Sequence, residues 1–217
     1  KCTAVRRIIV PENLIDEVQQ AISARLASVK IGDPASEGVR MGALATHAQV
    51  DAVKESVNQL SKSQEIIYGD LENFSVVGAD KEKGAFFSPI LFRNDNPFTQ
   101  TDVHNIEAFG PVATIMPYKS LDNAIELAKM GKGSLVSSIV TPCDKEAVEY
   151  VVGAASMHGR ILVLNKDCAK ESTGHGSPMP LLTHGGPGRA GGGEEMGGKR
   201  GVLHYLQRTA IQGHPTT

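Results

Sequence analysis

Over roughly the first 165 residues, short β-branched runs alternate with longer stretches whose apolar residues recur at helical spacing, and few folds accept that alternation. Arg7-Ile8-Ile9-Val10 reads as a strand ended by Pro11, whose ring favours an extended residue before it. Pro11 also suits a helical first turn, where Glu12 meets the positive end of the helix dipole. Leu14, Val18, Ile22, Leu26 and Val29 predict one apolar helical stripe running to about Lys30, closed by Gly32-Asp33-Pro34. Thr46 to Gln49 fits a capping box, in which hydroxyl and amide side chains satisfy otherwise orphaned backbone donors. Val50, Val53, Val57 and Leu60 follow on one helical face, and Glu65 to Tyr68 reads as a strand stopped by Gly69-Asp70.

Residues 73–83 hold turn formers and charges without a period and predict a surface loop, after which Phe86 to Phe92 is extended and apolar. Val112 to Tyr118, Leu135 to Val140 and Arg160 to Leu164 read as further strands. Ser120 can cap a helix carrying Leu121, Ala124, Ile125 and Ala128. Asp144 can cap one that turns Ala147, Val148, Val151, Val152 and Ala155 inward. Strands separated by helices of about 10–15 residues pair in parallel, with helices on both faces of the sheet. The expected fold is therefore a doubly wound α/β domain with a mainly parallel sheet, spanning residues 1–217 without an internal repeat. From about residue 170 the texture changes. Nine of the 23 glycines fall between Gly185 and Gly201, predicting loop and tight turns, with Val202 to Ile211 returning as a strand.

Charge and composition exclude several roles. A net charge of −2 offers no basic excess for nucleic acid or an anionic membrane, and the Arg6-Arg7 and Lys199-Arg200 pairs are short enough to be merely solvated. No apolar run approaches the roughly 18 residues a membrane span needs. Three widely spaced cysteines, Cys2, Cys143 and Cys168, leave one unpaired in any scheme and point to a reducing cytoplasm. No histidine stands four residues from another, so no metal site is expected. The chain does not open with Met and its first residues lack an apolar targeting core, so it is expected to begin inside a longer polypeptide.

Gly186-Pro187-Gly188-Arg189-Ala190-Gly191 has the letters of a dinucleotide fingerprint but lacks its context. Pro178 and Pro180 precede it where a strand should lead in, more glycines follow where a helix should begin, and Ile211 stands where an acidic residue belongs. An ordinary glycine-rich loop is the better reading. Cys2 alone would read as a small buried hydrophobe. Its company changes that. The segment from Lys1 to Arg7, followed by an apolar strand, resembles the region around the nucleophile of aldehyde dehydrogenases, normally written G-Q-x-C-x-A. Further along, Gly32-Asp33-Pro34 with Met41-Gly42-Ala43-Leu44, Gly84 to Leu91, and Gly159 to Asn165 resemble later motifs of that family in the same order. Glu107-Ala108-Phe109-Gly110-Pro111-Val112 matches its E-x-F-G-P-V signature, the most specific of the set.

The resemblance implies an NAD(P)-dependent oxidation of an aldehyde to an acid, with Cys2 as nucleophile. A carbonyl carbon suits a thiolate, a soft and strong nucleophile. It further implies that Glu107 accepts hydrogen bonds from the nicotinamide ribose and that Phe109 supplies an apolar wall beside the nicotinamide, against the plainer readings of surface carboxylate and core aromatic. In the family the general base and an oxyanion-hole asparagine precede the cysteine, as does the cofactor-binding domain, so all three are expected upstream of this chain. The chain alone is therefore expected not to turn over. In the family, too, a hairpin from that upstream half pairs with the catalytic sheet of another subunit, which implies a homo-oligomeric parent.

Near the end the common P-F-G-G-x-K-x-S-G string is absent. Ser172 to Gly176 and His184 to Glu195 instead resemble the semialdehyde-dehydrogenase half of bifunctional phenylacetate-degradation enzymes. That likeness implies a CoA-linked semialdehyde as substrate, NADP as oxidant and a hydratase-like domain downstream. His175, His184 and Arg189 are candidates for the substrate mouth, or equally loop residues that hold backbone carbonyls. Two alternatives stay open at this point: a CoA-acylating aldehyde dehydrogenase using the same cysteine, and a module that serves only oligomerisation or interaction.

Overall fold

The computed structural model describes residues 2–168, 171, 174, 176, 179, 182–196, 198–203, 205, 206, 209, 212 and 213. In chain order the elements are β1 (Arg7–Pro11), α1 (Ile15–Ala27), β2 (Lys30–Ile31), β3 (Val39–Met41), α2 (His47–Leu60), β4 (Glu65–Tyr68), β5 (Ile90–Arg93), α3 (Asp102–Asn105) and β6 (Val112–Tyr118). They continue as α4 (Leu121–Lys129), β7 (Ser134–Val140), α5 (Asp144–Ala154), β8 (His158–Leu164), β9 (Thr183–Gly186), β10 (Gly192–Met196) and α6 (Gly198–Leu203). The central sheet has the order β1-β6-β5-β4, parallel throughout except where β4 runs antiparallel to β5 at its edge. β7 and β8 form a second parallel pair. This is the α/β architecture the alternation demands, with parallel neighbours joined through helices.

Side-chain alternation along the strands sorts the helices to the two faces. Ile8 and Val10 of β1 join Ile115 of β6 under Ile15, Val18 and Ile22 of α1. Ile9, pointing the other way, packs with Leu121, Ile125 and Ala128 of α4 and with Tyr150 and Ala154 of α5. Val53, Val57 and Leu60 of α2 close over Phe87, Ile90, Phe92 and Val112. At the start of α2, the Thr46 hydroxyl accepts from the Gln49 amide at 3.1 Å. The Gln49 side chain returns to the backbone of Ala45, one residue earlier than in a capping box.

Several expectations are corrected. Leu14 is exposed and Ile15 begins the buried stripe, because Glu12–Leu14 forms a tighter three-residue turn that carries Leu14 off the helical face. In α5 the buried set is Ala147, Tyr150 and Ala154, while Val148 and Val152 are 62% and 77% exposed. Successive helical residues step about 100°, so Val148 lies about 100° and Val152 about 140° around from Ala147, off the stripe it shares with Tyr150 and Ala154. Asp144 is not the cap but the first helical residue, its charge serving the dipole. Val202 and Leu203 belong to α6 rather than to a strand. β-propensity records fit to a paired surface, and two apolar residues make thin evidence for one. The glycine-rich stretch is more ordered than a loop: β9 and β10 pair antiparallel across a short turn. No helix among the described residues is long and apolar enough to cross a membrane.

Candidate active site

Cys2 is exposed, in the turn that leads into β1. It stands five residues before the first residue of β1, and Glu107 stands five before the first residue of β6 (7 − 2 and 112 − 107). These strands are adjacent and parallel, so the two lead-in segments arrive at the same end of the sheet although 105 positions separate them in sequence (107 − 2). The juncture is tied by a backbone bond, from Thr114 N to Arg6 O at 2.9 Å. An ion pair joins the same two segments, Arg6 Nη1 lying 3.2 Å from Glu107 Oε1.

The E-x-F-G-P-V signature has a local physical logic. Ile106 and Ala108 pack toward the α2 core. In extended chain, alternate residues face opposite ways, so Glu107 and Phe109 are turned outward. Phe109 is 49% exposed, a large ring offered to solvent rather than to the core. Gly110 is required where the chain passes α2, since a Cβ there would sit 2.8 Å from a Val53 methyl. Gln49, on the first turn of α2, donates to the Phe109 carbonyl at 2.7 Å and fixes the segment's height above the sheet. Pro111 then passes its carbonyl to Ile90 N at 2.9 Å, where pairing with β5 begins. A half-exposed carboxylate beside an exposed aromatic fits a ribose and the flat ring it carries, with acceptors for hydroxyls and an apolar face to cover.

Arginines surround the juncture. Burial pushes the Arg6 guanidinium's pKa down, Glu107 pulls it up and Arg189 opposes it. Arg6 Nη1 makes an ion pair with Glu107 but lacks the alignment of a hydrogen bond. Arg7 Nη1 and Nη2 donate to the carbonyls of Leu127 and Ala128 at 2.8 and 2.9 Å, satisfying orphan groups at the end of α4. Burial, helped by repulsion from Arg6, takes the Arg7 pKa down to about 10. That still leaves it charged at neutrality. Arg7 Nη1 also lies 3.1 Å from Nδ1 of His104, whose Nε2 is 2.9 Å from the Pro97 carbonyl. A carbonyl can only accept, so Nε2 carries the proton and Nδ1 accepts from Arg7.

Burial holds the pKa of His104 below its ordinary value, and that of His158 likewise, against the upward pull of their carbonyl partners. An imidazole whose folded pKa lies below its unfolded one binds fewer protons when folded, so stability rises with pH across that window. The contribution is complete above the unfolded value of about 6.5 and erodes as pH falls from there through the lower folded values. The urea midpoint of the chain is expected to drop on going from about pH 7.5 to about pH 5.5. A midpoint that stays level or rises over that interval would show that these two rings accept protons without cost.

Arg189 lies at the turn between β9 and β10. Its Nη1 donates to the His104 carbonyl at 2.7 Å and its Nη2 to the Asn105 carbonyl at 3.3 Å, with Glu107 Oε2 at 4.0 Å from Nη2. Backbone contact sets that position. Arg189 N donates to Lys132 O at 2.9 Å, and a Cβ on Gly133 would stand 1.9 Å from Pro187 O. Gly133 itself has φ +119°, a region open to glycine. His184 is buried in β9, with Nε2 3.4 Å from Arg160 Nη1. Of the three mouth candidates, Arg189 thus holds backbone carbonyls, His184 packs inside, and His175 lies outside the described residues. Arg6 is the residue that sequence reasoning missed: an Arg-Arg pair gives no hint that its first member meets Glu107.

Comparison with known proteins identifies the family and the fold. The family model for the aldehyde dehydrogenase family matches residues 1–211. Protein MaoC of Klebsiella aerogenes is 51% identical over 177 residues, covering 81% of this chain and 51% of that protein. The 3,4-dehydroadipyl-CoA semialdehyde dehydrogenase of Aromatoleum evansii is 40% identical over 187 residues, covering 86% of this chain and 36% of that protein. Among solved structures, betaine aldehyde dehydrogenase from Staphylococcus aureus in complex with NAD+ superposes with a TM-score of 0.77 at 21% identity, over 93% of this chain and 37% of that one. The 3,6-anhydro-L-galactose dehydrogenase superposes at 0.78 with 25% identity, over 95% and 40%. The chain spans about half, or less, of the length of the relatives it matches.

Proposed function

The chain belongs to the aldehyde dehydrogenase family, and on that premise we propose that it is the catalytic domain of a longer NAD(P)-dependent enzyme that oxidises a CoA-linked semialdehyde to the acid. One observation carries the reading: an exposed Cys2 reaches the same sheet end as the outward-facing Glu107 and Phe109. The Cys2 thiolate attacks the aldehyde carbon to give a thiohemiacetal, and its own backbone N–H donates to the resulting oxyanion. Glu107 would accept from the ribose hydroxyls of a bound nicotinamide coenzyme and Phe109 would cover its ring, the two residues holding it near Cys2. The coenzyme, when bound, accepts the hydride that leaves that carbon. Water then releases the acid from the Cys2 thioester and returns the thiol. The general base, the second oxyanion donor and the rest of the coenzyme site belong to the preceding part of the polypeptide, with a hydratase-like domain following.

The CoA-linked substrate, and with it a place in aerobic phenylacetate degradation and NADP as oxidant, rests on the His184 to Glu195 string and on the relative named for a CoA semialdehyde. A reducing cytoplasm suits an exposed free thiol. Exposed Val140, at the end of β7, and Val148 and Val152 on α5 favour a homo-oligomeric parent that covers them. In the full-length enzyme, a CoA-thioester semialdehyde is expected to exceed the free aldehyde of equal length in kcat/KM by about tenfold or more, because carrier binding energy positions the carbonyl. Equal values for the two would leave a general aldehyde dehydrogenase.

A further inference from the structure

We propose that Arg6 and Arg189 are positioning residues that hold the Glu107 carboxylate between them, so that the Cys2 turn and the glycine-rich hairpin jointly set the coenzyme-ribose contact. The inference rests on the reading of Glu107 as the ribose acceptor. Its geometry is two-sided: Arg6 Nη1 approaches Oε1 at 3.2 Å and Arg189 Nη2 approaches Oε2 at 4.0 Å, from segments 183 positions apart (189 − 6). A carboxylate 48% exposed would otherwise sweep its rotamers in water. Flanked by a guanidinium charge on each side, with no hydrogen bond to either, it is biased toward one orientation and keeps its lone pairs for ribose hydroxyls.

Arg6 is enclosed and Arg189 is anchored. Arg6 has a largely covered side chain, 20% exposed, and a covered guanidinium is costly to leave without its counter-charge. Arg189 is anchored on the carbonyls of His104 and Asn105, three and two residues before the carboxylate it steadies, so it moves with that segment. The hairpin carrying it is seated backbone to backbone on the Lys132-Gly133 turn, where a Cβ at Gly188 would stand 2.0 Å from Lys132 O. Nucleophile turn, ribose acceptor and hairpin thus share one electrostatic joint.

The test is a double-mutant cycle in the full-length enzyme, with coenzyme and aldehyde varied separately. Arg6→Ala and Arg189→Ala are each expected to raise the coenzyme KM about three- to thirtyfold, the range for coupled neighbours. The aldehyde KM and the amplitude of covalent attack at Cys2 should stay within about twofold. Arg6→Lys, which keeps the charge, should recover part of the loss. In a Glu107→Gln background either Arg→Ala change should add less than about twofold, since the group it acts through has lost its charge. A general packing defect would instead move both KM values, and thermal melting identifies a variant that has lost its fold. The lysine variant then carries the cycle. If Glu107→Gln raises the coenzyme KM but the arginine effects add in full to it, the clamp is wrong and the ribose assignment stands. If Glu107→Gln leaves the coenzyme KM unchanged, the ribose assignment fails and the clamp falls with it.

Discussion

Cys2→Ala is expected to abolish aldehyde oxidation in the full-length enzyme, lowering kcat by about 10⁴–10⁶, the scale of loss when a covalent nucleophile is removed. Cys143 and Cys168 cannot replace it. Cys143 stands at the start of α5, and the Cys168 sulfur is turned to the carbonyls of Val163 in β8 and of Asn165 just after it. Neither belongs to the turn entering β1. Coenzyme binding should survive, because Glu107, Phe109 and their supports are untouched. Stopped-flow measurement of NAD(P)H, with coenzyme titrated by fluorescence, separates the two effects. Retention of more than about a tenth of wild-type kcat would mean that the covalent route does not run through Cys2.

Phe92→Ala carries the largest expected effect on stability. Phe92 is fully buried at the centre of β5, between β6 and β4, and packs beneath Val53, Val57 and Leu60 of α2. Truncating a buried Phe costs about 3–5 kcal/mol, combining lost transfer energy with the cavity left behind. Domains have only about 5–15 kcal/mol in total, so the variant should lose a large share of its margin. Urea unfolding should show a lower midpoint at an unchanged slope. A loss under about 1 kcal/mol would mean that α2 and the sheet close over the site without sharing a tight core. The same helix carries Val53 against Gly110 and Gln49 against the Phe109 carbonyl, so loosening α2 would also loosen the segment from Glu107 to Gly110.

Much of this was legible in the sequence because it is local. The strand at Arg7, the capped helices at Thr46 and Ser120 and the parallel alternation all follow from neighbours within a few positions. Motif order is legible too, and makes Cys2, Glu107 and Phe109 candidates. What could not be read is what depends on pairing. Nothing near Arg6 says that β1 lies beside β6, yet that adjacency alone brings its guanidinium to Glu107. The glycines from Gly185 onward predict freedom of turn, but not that Gly133 and Gly188 exist to let two backbones touch and seat Arg189. Val148 and Val152 show the converse error: apolar residues at near-helical spacing read as core, although their face is open in the single chain. Periodicity says which residues share a stripe, not which stripe is covered.

The central claim, that Cys2 is the covalent centre of an aldehyde-oxidising site, is tested most directly by mass. The full-length enzyme is mixed with aldehyde and NAD(P), quenched in acid within the first turnovers, and its peptides are mapped. The expected result is an acyl mass on the peptide containing Cys2, appearing before steady state and absent when coenzyme is omitted. An acyl mass on the Cys143 or Cys168 peptide, or full turnover with no acylated cysteine at any time, would contradict it.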